Sequence, residues 1–243
     1  YHAADGDFAS AGSMRFVTKS RLSRPIAEVT GGSFGYWRGL AAGSADIASG
    51  SLLGALDATV SDGPWVLDER QRKFNGLLKY TAADWSLGLS GYANSWTSTD
   101  QVPERAIASG LIPRNGFIDP NLGGRAGRIA LTFNGQFGHT QVSAYAIGSR
   151  LELTSNFTYF LDDPVNGDQF RQADRRGVFG GSIRHEFKGD CVTWRIGADT
   201  RWDRIGQVGL YDTVMGEVVG TVREDRVDEF GGGLYGEAEL SLA

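Results

Sequence analysis

Apolar and polar residues alternate with a period of two over long stretches of this chain, and that pattern restricts its fold more than any other feature. From Arg128 one parity reads Arg128, Ala130, Thr132, Asn134 and Gln136, and the other reads Ile129, Leu131, Phe133, Gly135 and Phe137. From Val192, Val192, Trp194, Ile196, Ala198 and Trp202 share a face that has Thr200 as its polar member. Arg195, Asp199, Arg201 and Asp203 oppose them. Phe74, Leu78 and Tyr80 oppose Lys73, Asn75 and Lys79, and Leu87 and Leu89 oppose Ser86 and Ser90. Towards the end, Leu234, Ala238 and Leu240 alternate with Tyr235, Glu237 and Glu239. A period of two with one clean apolar face marks β-strands that separate two unlike environments.

The connections between these strands come in two sizes, taken in turn. Short ones are expected at 46–50, 82–84, 138–139 and 188–190. Long ones are expected at 63–69, 98–125, 157–173 and roughly 207–226. Strands of roughly 10 to 16 residues, joined alternately by tight turns and long loops, fit a transmembrane β-barrel better than a soluble sandwich. About ten strands follow from Ile26, with 31–35 as a small first loop. The fold class expected is therefore all-β. It is an antiparallel meander forming part of a larger barrel and left here as an open, curved sheet. The stretch from Ile129 to Ser149 holds no Asp, Glu, Lys or Arg, yet Asn134, Gln136, His139 and Gln141 interrupt it. It reads as two strands and not as one spanning helix.

Composition removes several other classes. The 35 glycines have no G-X-Y period, which excludes collagen, and 11% aromatic residues argue against disorder. A net charge of −5 is no general footprint for nucleic acid, so no nucleic-acid partner is expected. A lone Cys191 excludes an internal disulfide and the common cysteine zinc sites. Trp194 and Trp202 stand eight residues apart on one face. With a strand tilt near 40°, that is about 20 Å of height, close to the apolar band between the aromatic girdles of a membrane barrel. Tyr1 follows no Met or leader pattern, and Leu242-Ala243 falls within the alternation, so the chain reads as a piece of a longer protein.

The first residues carry a family resemblance. Tyr1-His-Ala-Ala-Asp-Gly-Asp-Phe8, followed by Ala11-Gly-Ser-Met-Arg-Phe-Val-Thr18, resembles the closing strand of the plug domain in TonB-dependent outer-membrane receptors. Met14-Arg15 departs from the small or Asn residues commoner there. Glu28-Val-Thr-Gly-Gly-Ser-Phe-Gly35 resembles the first barrel hairpin of that family. Asp62-Gly-Pro-Trp65 and the stretch from Ser155 to Asp168 resemble its loop segments. The resemblance implies that residues 1–22 end a plug domain and residues 23–243 begin a barrel of roughly 22 strands. It also implies a bacterial outer-membrane location and contact with the TonB complex through a plug segment upstream of Tyr1. The ligand would be a small chelate, most often a ferric siderophore, moved inward without bond chemistry.

Other motif matches have simpler explanations. Gly31-Gly-Ser-Phe-Gly35 has the spacing of a nucleophile elbow, but strand residues follow where that elbow needs a helix. Gly231, Gly233 and Gly236 have dinucleotide-fingerprint spacing without a strand-to-helix switch. Asp162, Asp163, Asn166 and Asp168 offer oxygen ligands but lack EF-hand spacing, and a solvated turn explains them better. His2, His139 and His185 are far apart. No catalytic set, metal or cofactor is therefore expected, and a barrel-borne hydrolase is the weaker rival. A general porin is the other rival, and it would lack a plug segment.

Candidate ligand contacts are Arg105, Arg114 and Arg125 in one long loop, and Tyr159, Phe160, Asp162 and Asp163 in another. Arginines suit an anionic chelate, and aromatics suit a planar one. Arg195, Asp199, Arg201, Glu237 and Glu239 are expected to face the lumen and plug, because lipid cannot solvate charge.

Overall fold

The computed structural model describes Met14 and residues 16–240. Ten strands follow one another as a single antiparallel sheet in chain order, each paired only with its sequence neighbours. They are β1 (Ile26–Gly31), β2 (Trp37–Ile47), β3 (Gly50–Ser61), β4 (Gln71–Thr81) and β5 (Trp85–Ser98), then β6 (Leu122–Phe137), β7 (Thr140–Ser155), β8 (Phe170–Lys188), β9 (Val192–Val214) and β10 (Glu217–Leu240). The sheet is open, with β1 and β10 as its edges. A five-residue helix, α1 (Glu104–Ala108), lies in the β5–β6 connection. Among the described residues no helix is long and apolar enough to cross a membrane.

The alternation becomes two faces. Register carries parity from strand to strand: Leu78 pairs with Leu89, Leu89 with Leu131, Ile183 with Ala198 and Phe187 with Trp194. One face is thus a continuous apolar band, and it stays open. Ile129 is 58% exposed, Trp194 55%, Phe187 51% and Leu78 48%. Aromatic residues gather along its short-turn edge, where Trp85 lies 5.4 Å from Tyr80 and 6.3 Å from Phe133 between ring centroids. The opposite face is charged and more enclosed. The Arg195 guanidinium there meets Glu186 at 2.8 Å and both Glu237 and Glu239 at 2.7 Å. Arg201 pairs with Asp203, and Asp199, opposite Ser182, shares this parity.

Glycine-rich positions on the charged face hold tyrosine rings. Tyr145 pairs directly with Gly180, and Tyr235 with Gly197. A Cβ on either glycine would overlap the ring, and at Gly180 it would also come 2.7 Å from the Thr200 carbonyl oxygen. Covering glycine with a cross-strand aromatic shields backbone that glycine would otherwise leave bare. Turn glycines do different work: Gly138 (φ 58°) and Gly216 (φ 83°) occupy left-handed positions in tight hairpins.

Several expectations need correction. Residues 207–226 form no long loop. They extend β9 and β10 into a tall hairpin that closes at Met215-Gly216. Register shifts near Gly206 and at three points along β10 interrupt the period there, and β-branched residues such as Val208, Val214 and Val222 sustain the strands. These strands, at 23 and 24 residues, exceed the expected lengths. Of the other long connections, two are narrower than expected, at 99–121 and 156–169, and one is slightly wider, at 62–70. In the amino-terminal resemblance, Tyr1–Phe8, Ala11–Ser13 and Arg15 lie outside the described residues. Residues 16–18, expected in a strand, are irregular.

Replacing Gly180 with Val should lower stability to urea unfolding by about 1–3 kcal/mol, because Tyr145 and the Thr200 carbonyl cannot both move aside. Gly91→Ala, where an added Cβ meets nothing within 4 Å, should change it little.

Candidate functional site

The long connections all leave the sheet at one end, and hydrogen bonds tie them together there. Asn156 directly follows β7 and Gln169 directly precedes β8, so both stand at the stem of one loop. Their side-chain amides converge on Asp119 of the neighbouring loop. Asn156 Nδ2 and Gln169 Nε2 donate to Asp119 Oδ2 at 3.1 and 2.7 Å. The Asn156 backbone N–H donates to Asp100 Oδ2 at 2.7 Å. Gln169 Oε1 accepts from the Gly216 N–H at 2.7 Å, which brings the β9–β10 hairpin into the same network. At the other side, the Val66 N–H donates to the Asn115 carbonyl, and Asn115 Nδ2 donates to the Pro64 carbonyl, both at 2.9 Å. Asn156 and Gln169 are 3% and 5% exposed. Burial at that level is stable for polar side chains only when their hydrogen bonds are made.

Loop 156–169 is further organised by its own carboxylates. Asp168 accepts from the backbone N–H groups of Leu161, Asp162 and Asp163, at 2.8, 3.2 and 2.7 Å. Those donors, that of Asp163 foremost, hold the Asp168 carboxyl down at about 2. Asp163 in turn accepts from the backbone and side chain of Asn166 and from the Val165 N–H, and these hold its carboxyl below the usual range. Both carboxylates thereby shape the loop. Among the described residues no group of three or more His, Cys, Asp or Glu is placed to hold a metal ion.

The candidate contacts fall into two sets. Arg105 on α1, Arg114, Phe160 and Asp162 are exposed at the loop end. Tyr159, Asp163 and Arg125 have other partners. The Tyr159 hydroxyl donates to the Gln101 carbonyl at 2.7 Å, linking the two loops, and burial followed by the nearby Asp100 and Asp119 charges pushes its pKa up. Arg125 lies in β6 and not in the loop. Its guanidinium Nε holds Glu152 on β7 at 2.9 Å.

Sequence reasoning passed over Asp100, Asp119, Asn156 and Gln169, the residues that join the loops. Each is an ordinary loop polar residue by type, and what singles them out is their position at strand ends.

The lowered pKa of Asp168 fixes a direction. Its folded value lies below an unfolded value near 4, so its contribution is fully present above about pH 4 and is lost as the pH falls through about 2. Limited proteolysis within 156–169 should therefore stay slow at pH 4–7. Asp168→Asn should speed cutting at pH 7, where the parent loop resists.

No protein-family model matches the chain, and no curated protein matches it in sequence.

Proposed function

We propose that this chain is part of an outer-membrane active-transport receptor of the TonB-dependent kind. The loop end takes up a scarce nutrient chelate, a ferric siderophore complex, and TonB-supplied energy moves it inward. The observation that carries this reading is the division of one sheet into an open apolar face and an ion-paired charged face. A contiguous apolar surface of this size on a water-soluble protein calls for a covering, and lipid supplies one along the full height of the band. Arg195 with its three glutamates suits a lumen where plug and water meet charge.

Residues 18–22 favour a plugged receptor over a general porin. Lys79 Nζ donates to the Thr18 carbonyl at 2.9 Å, Ser44 Oγ bonds the Leu22 backbone at 3.0 and 3.2 Å, and Arg21 pairs with Asp46 at 2.8 Å. Lys79, Ser44 and Asp46 all belong to the charged face, so the segment before β1 lies against that face. A plug entering a barrel lumen would take this course. Arg105, Arg114, Phe160 and Asp162 are the proposed chelate contacts, with Tyr159 and Asp163 as the loop's supports. The TonB complex would engage a plug segment upstream of this chain.

Two measurements on the full-length protein test the reading. Ile183 and Ser182 are adjacent on β8 and face opposite ways, and Ile183 is 50% exposed in the sheet alone. In lipid, Ile183→Arg should cost about 2–4 kcal/mol and reduce membrane assembly, while Ser182→Arg is tolerated. In water, a half-exposed Ile183→Arg would be nearly silent, and equal assembly of the two variants would sink the membrane assignment. For transport, Arg105→Ala with Arg114→Ala should weaken uptake of an anionic ferric chelate by about tenfold or more. Unchanged uptake would remove these arginines from the site.

A further inference from the structure

The apolar band ends, on the side of the long loops, in arginines. Arg72 precedes Phe74 on the apolar parity of β4, at its loop end, and Arg125 and Arg150 close the same parity on β6 and β7. Arg175 and Arg204 do so on β8 and β9. Register sets them side by side: Arg150 pairs directly with Arg175, and Arg72 pairs with Ser95, whose other neighbour is Arg125. Arg125 holds Glu152. Among the described residues Arg72, Arg150, Arg175 and Arg204 have no ion pair, and all four are exposed. Asp228 stands opposite Arg204 without pairing to it, and Glu224 accepts from the Tyr211 hydroxyl at 2.5 Å.

Like charges directly opposite on a sheet lie about 5 Å apart and destabilise it. Arg38, Arg176, Arg195 and Arg201, on the charged face, each have a carboxylate. The Arg150–Arg175 pair has none among the described residues, and Glu224, the carboxylate that lines the same groove, is taken by the Tyr211 hydroxyl, so the pair is open to an anion from outside the chain. The surroundings describe that anion. A shallow groove of about 800 Å³ runs here, with Arg150, Arg175, Arg204 and Ile129 along it. Its floor is Gly127, Gly148 and Gly177, and a Cβ at Gly127 would come 3.4 Å from Arg150 Nε. Within one or two same-face positions down these strands the face is apolar, with Phe74, Ile129, Phe179 and Trp202. A ligand seated here presents anionic oxygens to guanidinium groups and an apolar body to the band below. Phosphate suits the planar, multi-donor guanidinium.

We infer that Arg150, Arg175 and Arg204 form a binding site for the phosphate of an acylated lipid in the leaflet on the loop side, its chains lying along the apolar band. The inference rests on the membrane reading proposed above. The site would fix the sheet's depth in the bilayer and hold a lipid annulus beneath the loops.

The test reconstitutes full-length protein into phosphatidylcholine vesicles with or without phosphatidic acid, then measures lipid retained after detergent extraction by native mass spectrometry. The parent should retain phosphatidic acid over phosphatidylcholine. Arg150→Gln with Arg175→Gln should lower that retention by about tenfold or more, given two lost charge-assisted contacts. Arg184→Gln, which removes a charge without an ion pair among the described residues, on the opposite face and away from the groove, should leave it unchanged. Equal loss in both variants, or no loss in the double variant, overturns the site. Inorganic phosphate that displaces the lipid at millimolar concentration overturns the lipid assignment in favour of a free anion. Parent protein that inserts into both vesicles yet retains no phosphatidic acid overturns this inference alone. Parent protein that inserts into neither overturns the membrane reading and this inference with it.

Discussion

The backbone hydrogen-bond ladder between successive strands holds this molecule together. A single-layer sheet has no second layer to pack against, so side chains cannot supply the core that stabilises a sandwich. Every strand from β2 to β9 pairs with a neighbour on both edges, while among the described residues β1 and β10 each pair on one edge alone. Side chains then decide which environment each face meets. On the charged face they also stitch neighbouring strands, as Arg195 does for β8, β9 and β10.

That division of labour explains what could be read in the sequence. Alternation reports directly on faces, so the opposition of Trp194, Ile196 and Trp202 to Arg195, Asp199 and Arg201 was legible, as were the tight turns at 82–84 and 138–139. Alternation fails where neither face needs to be apolar. The upper β9–β10 hairpin is such a place: Arg223, Glu224, Asp225 and Arg226 follow in succession, and bulges shift the parity. A charged, glycine-bearing stretch with a broken period looks like loop, although its backbone pairs as strand.

The loop end was legible by residue type and not by contact. Arg105, Arg114 and Phe160 are candidates by residue type and loop position, and the structure leaves them exposed. The bonds that join the loops link Asp119 to Asn156 and Gln169, 37 and 50 residues on. Only register brings such positions together. The arginine row is the same kind of feature. Arg72, Arg125, Arg150, Arg175 and Arg204 each end an apolar parity run, but they form a row only once the strands are aligned.

Neighbour-only pairing has a consequence for how the sheet comes into being. Each hairpin closes over a short sequence separation at its turn, and the loop-closing entropy at the other end grows only slowly with length. Loop 99–121 can therefore be long without reordering any strand. Assembly can proceed as a zipper, each finished strand serving as the template for the one synthesised after it. A substitution that blocks one strand would then halt the addition of all those that follow.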